Sequence, residues 1–318
     1  MDNRNADFSL CSEIRRNLEN CILGKKIEIE RLLIALLAGG HILLEDVPGT
    51  GKTQLVKALA RTIGGHFRRI QCNPDLLPTD ITGVAIYHPR DEAFIFRPGP
   101  VMANLLLVDE INRATTKTQS ALLEAMEERH VTVDGESYAL PVPFVLIATQ
   151  NPIEFEGTYT LPEAQLDRFM MKITLGYPDE ETERRMVLSP NSSAPADSLL
   201  PIADIERIAL MMGSVKRVHV DEAVADYLVR IVRATREHRG VQLGASPRAA
   251  ISLIAAAKAS AFLQERDYII PDDIKHLASP VLAHRMMLHT ESRVNGLTAE
   301  EVIETVVRET NVPVRMER

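Results

Sequence analysis

The sequence predicts an α/β fold with a parallel sheet, followed by a smaller all-helical unit, and three observations carry that prediction. In residues 41–53, H-I-L-L-E-D-V-P-G-T-G-K-T, an apolar run ends in a Pro/Gly turn, and helical spacing follows over 54–63. In residues 103–108, A-N-L-L-L-V, an unbroken apolar run stops at two carboxylates, Asp109 and Glu110. A central parallel strand, buried on both faces, reads this way. Beyond Pro201 the chain carries apolar stripes at helical spacing.

In chain order, Phe8, Leu10, Ile14 and Leu18 make residues 8–21 an amphipathic helix that Gly24 stops. Residues 25–37 form a second helix, closed by Gly39-Gly40. Residues 67–72 are a short strand. The stretch 73–100 holds Pro74, Pro78, Pro89 and Pro98 with Gly83 and Gly99. A segment this long without periodicity is a functional insertion. Its D-E-A-F-I-F-R-P-G-P piece reads as a hairpin with an aromatic tip. That tip either grips a partner or closes a small satellite core. Residues 115–128 are a helix with Leu122, Leu123 and Met126 in its stripe. Asp134-Gly135, between alternating runs over 131–140, signals a second hairpin. A strand over 144–148 ends in T-Q-N-P. A short helix (163–167) and the last strand (169–175) follow. Three prolines within 189–201 mark a linker between a domain at 1–188 and a helical domain at 202–318. The latter has helices at 202–212, 221–237, 247–264 and 272–289, two of them started by Pro247 and Pro271.

The whole chain narrows the functional classes. With 36 basic and 44 acidic residues the formal net charge is −8, which argues against nucleic acid as the main ligand. Cys11, Cys21 and Cys72 are odd in number and lack metal spacing, so they read as reduced thiols of a cytoplasmic protein. The N-terminus has no apolar signal core, and the longest apolar stretch, 32–44, is too short to span a membrane. The nine histidines are scattered and read as unliganded.

Chemistry concentrates in the strand–loop–helix at 41–63, the context of a phosphate-binding loop. Glycines let successive N–H groups turn toward a polyphosphate, and the helix end adds free donors. The loop residues are Val47, Pro48, Gly49, Thr50, Gly51, Lys52, Thr53 and Gln54. Lys52 can reach the β- and γ-phosphates, and Thr53 can ligate Mg²⁺. The general pattern has glycine at position 46, where this chain has Asp46. Asp109 suits Mg²⁺ as a hard oxygen ligand, and Glu110 can polarise the attacking water. Asn151 either orients that water or simply starts an Asn-Pro turn. The two N-terminal helices read as core packing, and Gly24 and Lys25 sit where a shelf for adenine would begin. Arg168 is either a local partner of Asp167 or Glu163, or a finger for a phosphate on another subunit. Arg248 lies in the first turn of the third helix of the second domain.

These pieces together resemble the MoxR family of AAA+ ATPases. The resemblance rests on the phosphate loop, on L-L-L-V-D-E-I-N-R-A, on T-Q-S-A-L-L-E-A-M-E-E-R and on A-T-Q-N-P-I-E-F-E-G-T-Y-T-L-P-E-A-Q-L-D-R-F. It extends over essentially the whole chain, including G-A-S-P-R-A, and V-P-G-x-G-K-T is the family's own form of the loop. The resemblance implies a five-stranded core in 5-1-4-3-2 order and a helical lid. It implies a helix-two insert near 94–100 and a pre-sensor hairpin at 131–140. It implies ATP and Mg²⁺ as cofactors, hexameric rings, and chaperone-like remodelling beside proteins with von Willebrand factor A domains. Any such partner is a separate chain. Arg248 resembles the family's sensor-two arginine, and Arg168 its finger. Two rival functions stay open: a nucleotide-dependent switch with slow hydrolysis, and a nucleic-acid translocase.

Overall fold

Five strands form the central sheet: β1 (Ile42–Glu45), β2 (Phe67–Gln71), β3 (Leu105–Asp109), β4 (Val145–Gln150) and β5 (Met171–Ile173). The computed structural model describes residues 3–47, 49–151, 159–188 and 196–313. All neighbouring strands are parallel, in the order β2-β3-β4-β1-β5. This is the predicted 5-1-4-3-2 order, seen from the other edge. Side chains on a strand alternate between faces. Leu105, Leu107, Val145 and Ile147 therefore enter one buried cluster, and Leu106, Val108, Leu146 and Ala148 the other.

The first cluster is covered by the helices Asn3–Cys21, Lys26–Ala38 and Lys52–Thr62, and it continues into the C-terminal helices. Lys26–Ala38 packs against both Ile205–Lys216 and Pro247–Leu263. The second cluster is closed by Leu122, Leu123 and Met126 of the helix Thr116–Glu128, the stripe read from the sequence. Thr115 caps that helix, accepting from the Thr118 N–H at 3.4 Å.

Two hairpins stand on this second face. Gly83–His88 pairs with Ala93–Pro98, and His130–Val133 with Glu136–Ala139. Asp134 and Gly135 supply the two positive φ values, 50° and 84°, that a tight hairpin turn requires. Phe96 stacks on Tyr138 at 3.9 Å, so the first hairpin is anchored to the second, while Phe94 at its tip is 72% exposed. The hairpin thus combines the two alternatives: a packed base and an open aromatic tip. Its base admits no side chain at Gly99, where a Cβ would lie 2.2 Å from the Ile81 carbonyl.

Beyond residue 195 the structure corrects three expectations. The described part of the predicted linker is docked: Ala196 is buried, and the N–H groups of Ile202 and Ala203 donate to the Thr62 carbonyl at 2.8 and 3.2 Å. Residues 189–195 lie outside the described residues. The helix expected over 272–289 spans Pro271–Leu282 and then gives way to a turn. Met287–Leu288 pairs antiparallel with Val241–Leu243, so the second unit is not purely helical. Among the described residues two further helices follow, Thr290–Val294 and Ala299–Glu309.

His41 clamps three elements. Its Nδ1 accepts the Leu146 N–H at 2.9 Å, and its Nε2 donates to the Met126 carbonyl at 3.2 Å. Burial, with Arg129 nearby, pushes its pKa from 6.5 down to about 3. His284, buried beside Arg285, is likewise lowered to about 3. Both rings stay neutral in the fold, whereas the unfolded chain takes up protons near 6.5. Their contribution is present above pH 6.5 and is lost as pH falls from there toward 3. Each adds up to about 1.4 kcal/mol per pH unit to the slope of stability. Urea midpoints measured from pH 7 to 4 should fall accordingly, and His41→Gln should flatten the slope. An unchanged slope in that variant would remove His41 from the acid sensitivity.

Candidate functional site

The loop after β1 is built on two backbone positions that favour glycine. Gly49 and Gly51 have φ of 86° and 88°, and open space lies where their Cβ atoms would be. Gly51 ends the loop and caps the helix Lys52–Thr62. Asp46, where the general pattern has glycine, is a buried anchor. Its Oδ1 accepts the Val47 N–H at 2.8 Å and its Oδ2 the Gly176 N–H at 3.0 Å. Lys52 Nζ donates to the carbonyls of Val47 at 2.8 Å and Asp46 at 3.3 Å. The Thr50 hydroxyl donates to the Val47 carbonyl at 3.4 Å. Pro48 lies outside the described residues.

Because β3 and β4 are neighbours, their C-terminal ends bring Asp109, Glu110, Thr149, Gln150 and Asn151 beside this loop. With Gly49, Lys52 and Thr53 they line a cavity of about 190 Å³. Of the residues singled out in the sequence, Lys52, Thr53, Asp109, Glu110 and Asn151 lie together on this cavity, and Gln54 follows in the first turn of the helix. Sequence reading missed four residues that hold the carboxylates. Arg69 Nε pairs with Asp109 Oδ2 at 2.6 Å, and the Thr149 hydroxyl donates to Asp109 Oδ1 at 3.3 Å. Gln71 Nε2 donates to Glu110 Oε2 at 2.7 Å, and Arg113 Nε lies 3.3 Å from the same oxygen. Glu110 adopts φ 57°, ψ 52°, held by its N–H donating to Thr149 Oγ1 at 2.9 Å. A left-handed non-glycine residue at a strand end is the sort of strain that marks working sites. Arg69 and Gln71 alternate on β2, so strand periodicity put them on one face, but only the β2–β3 adjacency aims that face at Asp109.

The residues fit a magnesium–nucleotide pair. The donor set is a hydroxyl and a carboxylate, both hard oxygens, beside a lysine and a helix N-terminus. Gln150 Oε1, on the same cavity, is buried without a hydrogen-bond partner. Gly24, with φ 72°, lies against Thr182; Lys25 Nζ donates to the carbonyls of Leu175 and, at 3.0 Å, Tyr177. Since Gly176 is bonded to Asp46, the shelf expected at Gly24 is continuous with the phosphate loop.

Arg168 and Arg248 are elsewhere. Both bind Glu127: Arg168 Nη2 at 3.0 Å from Oε2, Arg248 Nη2 on Oε1. Together with Gly39, Gly40, His41 and Arg129 they line a separate cavity of about 200 Å³. That cavity lies at the N-terminal ends of the strands, and the phosphate loop at their C-terminal ends. β1 alone separates the two by roughly 13 Å at ~3.3 Å per residue. The structure therefore corrects one expectation: the local partner of Arg168 is Glu127, not Asp167 or Glu163. Arg248 shares that carboxylate.

A five-stranded parallel sheet in this order, a glycine-rich phosphate loop and paired carboxylates on the adjacent strand end define a P-loop nucleotide-binding protein of the AAA+ class. The family model "ATPase family associated with various cellular activities (AAA)" matches residues 41–171, and that of the AAA lid domain matches 233–306. The chain is 50% identical to YeaC of Bacillus subtilis, over 94% of this chain and 93% of that protein. It is 45% identical to Chaperone MoxR1 of Mycobacterium tuberculosis, over 93% and 80% respectively. A crystal structure from Cytophaga hutchinsonii superposes with a TM-score of 0.91 at 41% identity, covering 98% of this chain and 97% of that one. The chain belongs to the MoxR family of AAA+ ATPases.

Proposed function

We propose that the chain hydrolyses ATP to ADP and phosphate with Mg²⁺, in a homo-oligomeric ring, a hexamer, and uses the energy to remodel partner proteins. The observation that carries this reading is the separation of the two charged centres. Lys52, Thr53, Asp109 and Glu110 open on one cavity, while Arg168 and Arg248 face out at the opposite ends of the strands. Two arginines that far from their own phosphate loop serve another copy's nucleotide. In this reading Gly24 and the loop residues 47–54 hold ATP, and Thr53 and Asp109 hold Mg²⁺. Glu110 takes the proton of the attacking water, and Asn151 orients that water. Bound Mg²⁺ supplies charge neutralisation for the phosphates. In this reading the chain divides at 189–201 into a core at 1–188 and a lid at 202–318, with Ala196 and the Ile202–Ala203 backbone docked on the core. The name of the mycobacterial relative, a chaperone, supports a protein client. A separate von Willebrand factor A-domain protein is the partner class the family resemblance favours, in the cytoplasm. Among the described residues no helix is long and apolar enough to cross a membrane.

One observation favours the rival reading of a slow switch. Both catalytic carboxylates are engaged, Asp109 by Arg69 and Glu110 by Gln71 and Arg113. A motor must release them in each cycle, and a switch keeps them. Phosphate release measured against Mg²⁺ concentration decides the assignment. Asp109→Asn should raise the Mg²⁺ needed for half-maximal turnover by about 10-fold or more. Nucleotide affinity without Mg²⁺ should stay within about twofold, because that measurement includes no metal contact. An unchanged Mg²⁺ dependence would take Asp109 out of the metal site. Stoichiometric ATP binding without multiple turnover would leave the switch.

A further inference from the structure

We propose that Arg285 is a positioning residue: it fixes the Asp167–Arg168 turn against the lid, so that Arg168 is held where it meets an anion beside Arg248. The proposal rests on the reading that these two arginines complete a nucleotide site, and it names what sets their geometry.

Arg285 is buried, with 1% of its side chain exposed, and its Nε donates to His284 Nε2 at 3.3 Å. Nη1 donates to Asp167 Oδ1 at 3.3 Å. Nη2 donates to the Phe169 carbonyl at 2.6 Å and to Ser252 Oγ at 3.1 Å, with the Met170 carbonyl at 3.4 Å. From the other side the Ser246 hydroxyl lies 2.9 and 3.0 Å from the two oxygens of Asp167. The same hydroxyl caps the helix Pro247–Leu263, accepting the Ala249 N–H at 3.1 Å. Asp167 directly precedes Arg168, and Ser246 stands two residues before Arg248. One carboxylate therefore ties the start of the helix carrying Arg248 to the turn carrying Arg168. Arg285 locks that carboxylate and, through Phe169 and Met170, the backbone leading into β5.

Arg285 does not line the cavity around Glu127, so it has no direct contact with an anion bound there. Its effect passes through Asp167 and Ser252. Burial pushes its pKa down to about 10, with Asp167 opposing the shift, so it stays charged at neutral pH. Arginine suits the position because its planar fork reaches a carboxylate, carbonyls and a hydroxyl at once; a lysine holds one direction at a time. A misplacement of about 1 Å in such a group costs on the order of 100-fold in rate.

The test uses Arg285→Lys, which keeps the buried charge, in the full chain. Nucleotide affinity at the chain's own site should stay within about twofold, since the site is at the other end of the sheet, while turnover falls roughly 10- to 100-fold. The deciding variant is Arg168→Ala with Arg285→Lys: it should be no slower than Arg168→Ala alone, because a residue that acts through Arg168 has nothing left to position. The proposal is overturned if the two losses multiply or if Arg285→Lys turns over like wild type. It is also overturned if that variant fails to fold or loses nucleotide affinity in parallel, since either makes the residue a general support. Mixing with Lys52→Ala subunits separates this proposal from the reading beneath it. Recovery by Arg168→Ala but not by Arg285→Lys would sink the positioning role alone. Recovery by neither, with the double variant still no slower than Arg168→Ala, would sink only the action between copies.

Discussion

Lys52→Ala should reduce ATP turnover by on the order of 100-fold or more, the cost of removing one preorganised donor from a developing charge. It should also weaken nucleotide binding by about 1.5–3 kcal/mol, roughly 10- to 150-fold, the range for a hydrogen bond to a charged group. Its fold should survive. Among the described residues Lys52 Nζ bonds the carbonyls of Asp46 and Val47 in a half-exposed loop, and water can replace it there. Asp46, which anchors the loop to Gly176, is untouched. Glu110→Gln should behave differently. An amide keeps a hydrogen bond to Gln71 but accepts no proton from water, so ATP stays bound and hydrolysis stops. Equilibrium binding of a fluorescent ATP analogue beside phosphate release separates the two. Turnover near wild type in Lys52→Ala would show that this loop is not the hydrolytic site.

Why the phosphate loop was legible and the arginine pair was not is a matter of sequence distance. Gly49, Gly51, Lys52 and Thr53 are contiguous, and their geometry follows from backbone rules and a strand–helix junction. The central strands announce themselves because burial on both faces demands unbroken apolar runs, as in Leu105–Asp109. Arg69 and Gln71 needed one further fact, that β2 lies beside β3, which no local pattern contains. Glu127 reads as a solvated acid at the end of a helix; Arg248, 121 residues on, gives it a role. Arg285 was placed inside a helix over 272–289, where a buried guanidinium has no evident purpose. The chain turns after Leu282, and that turn brings Arg285 to Asp167. The last helix was a different kind of miss. Thr298 and Glu301 form a capping box before Val302, Ile303 and Val306, a local signal that the strand-free tail did contain.

Arg168→Ala should slow turnover by at least about 10-fold, and fingers of this kind are worth roughly 10³- to 10⁵-fold where best measured. During hydrolysis negative charge spreads over the γ-phosphoryl oxygens, and a planar cation from outside the loop stabilises it. The competing view is that Arg168 only salts Glu127. That pair is partly exposed, with 31% and 36% of the two side chains accessible, and pairs of that sort contribute little to stability. Glu127 nonetheless holds Arg168 and Arg248 on a single carboxylate, so one anion already unites them. A phosphate from another copy presents the same chemistry with more charge. Subunit mixing tells the two views apart. Arg168→Ala subunits keep Lys52, and Lys52→Ala subunits keep Arg168, so in the proposed ring neither pure assembly has a complete site. Mixed rings should regain turnover at the interfaces that set an intact Arg168 against an intact Lys52. The recovered rate should rise and fall with the mixing ratio, highest where both kinds of subunit are abundant. Rings shown to be mixed, yet without recovery, would place the arginine's action within its own chain. Wild-type turnover in the pure Arg168→Ala ring would leave Glu127 its only partner and end its part in the mechanism.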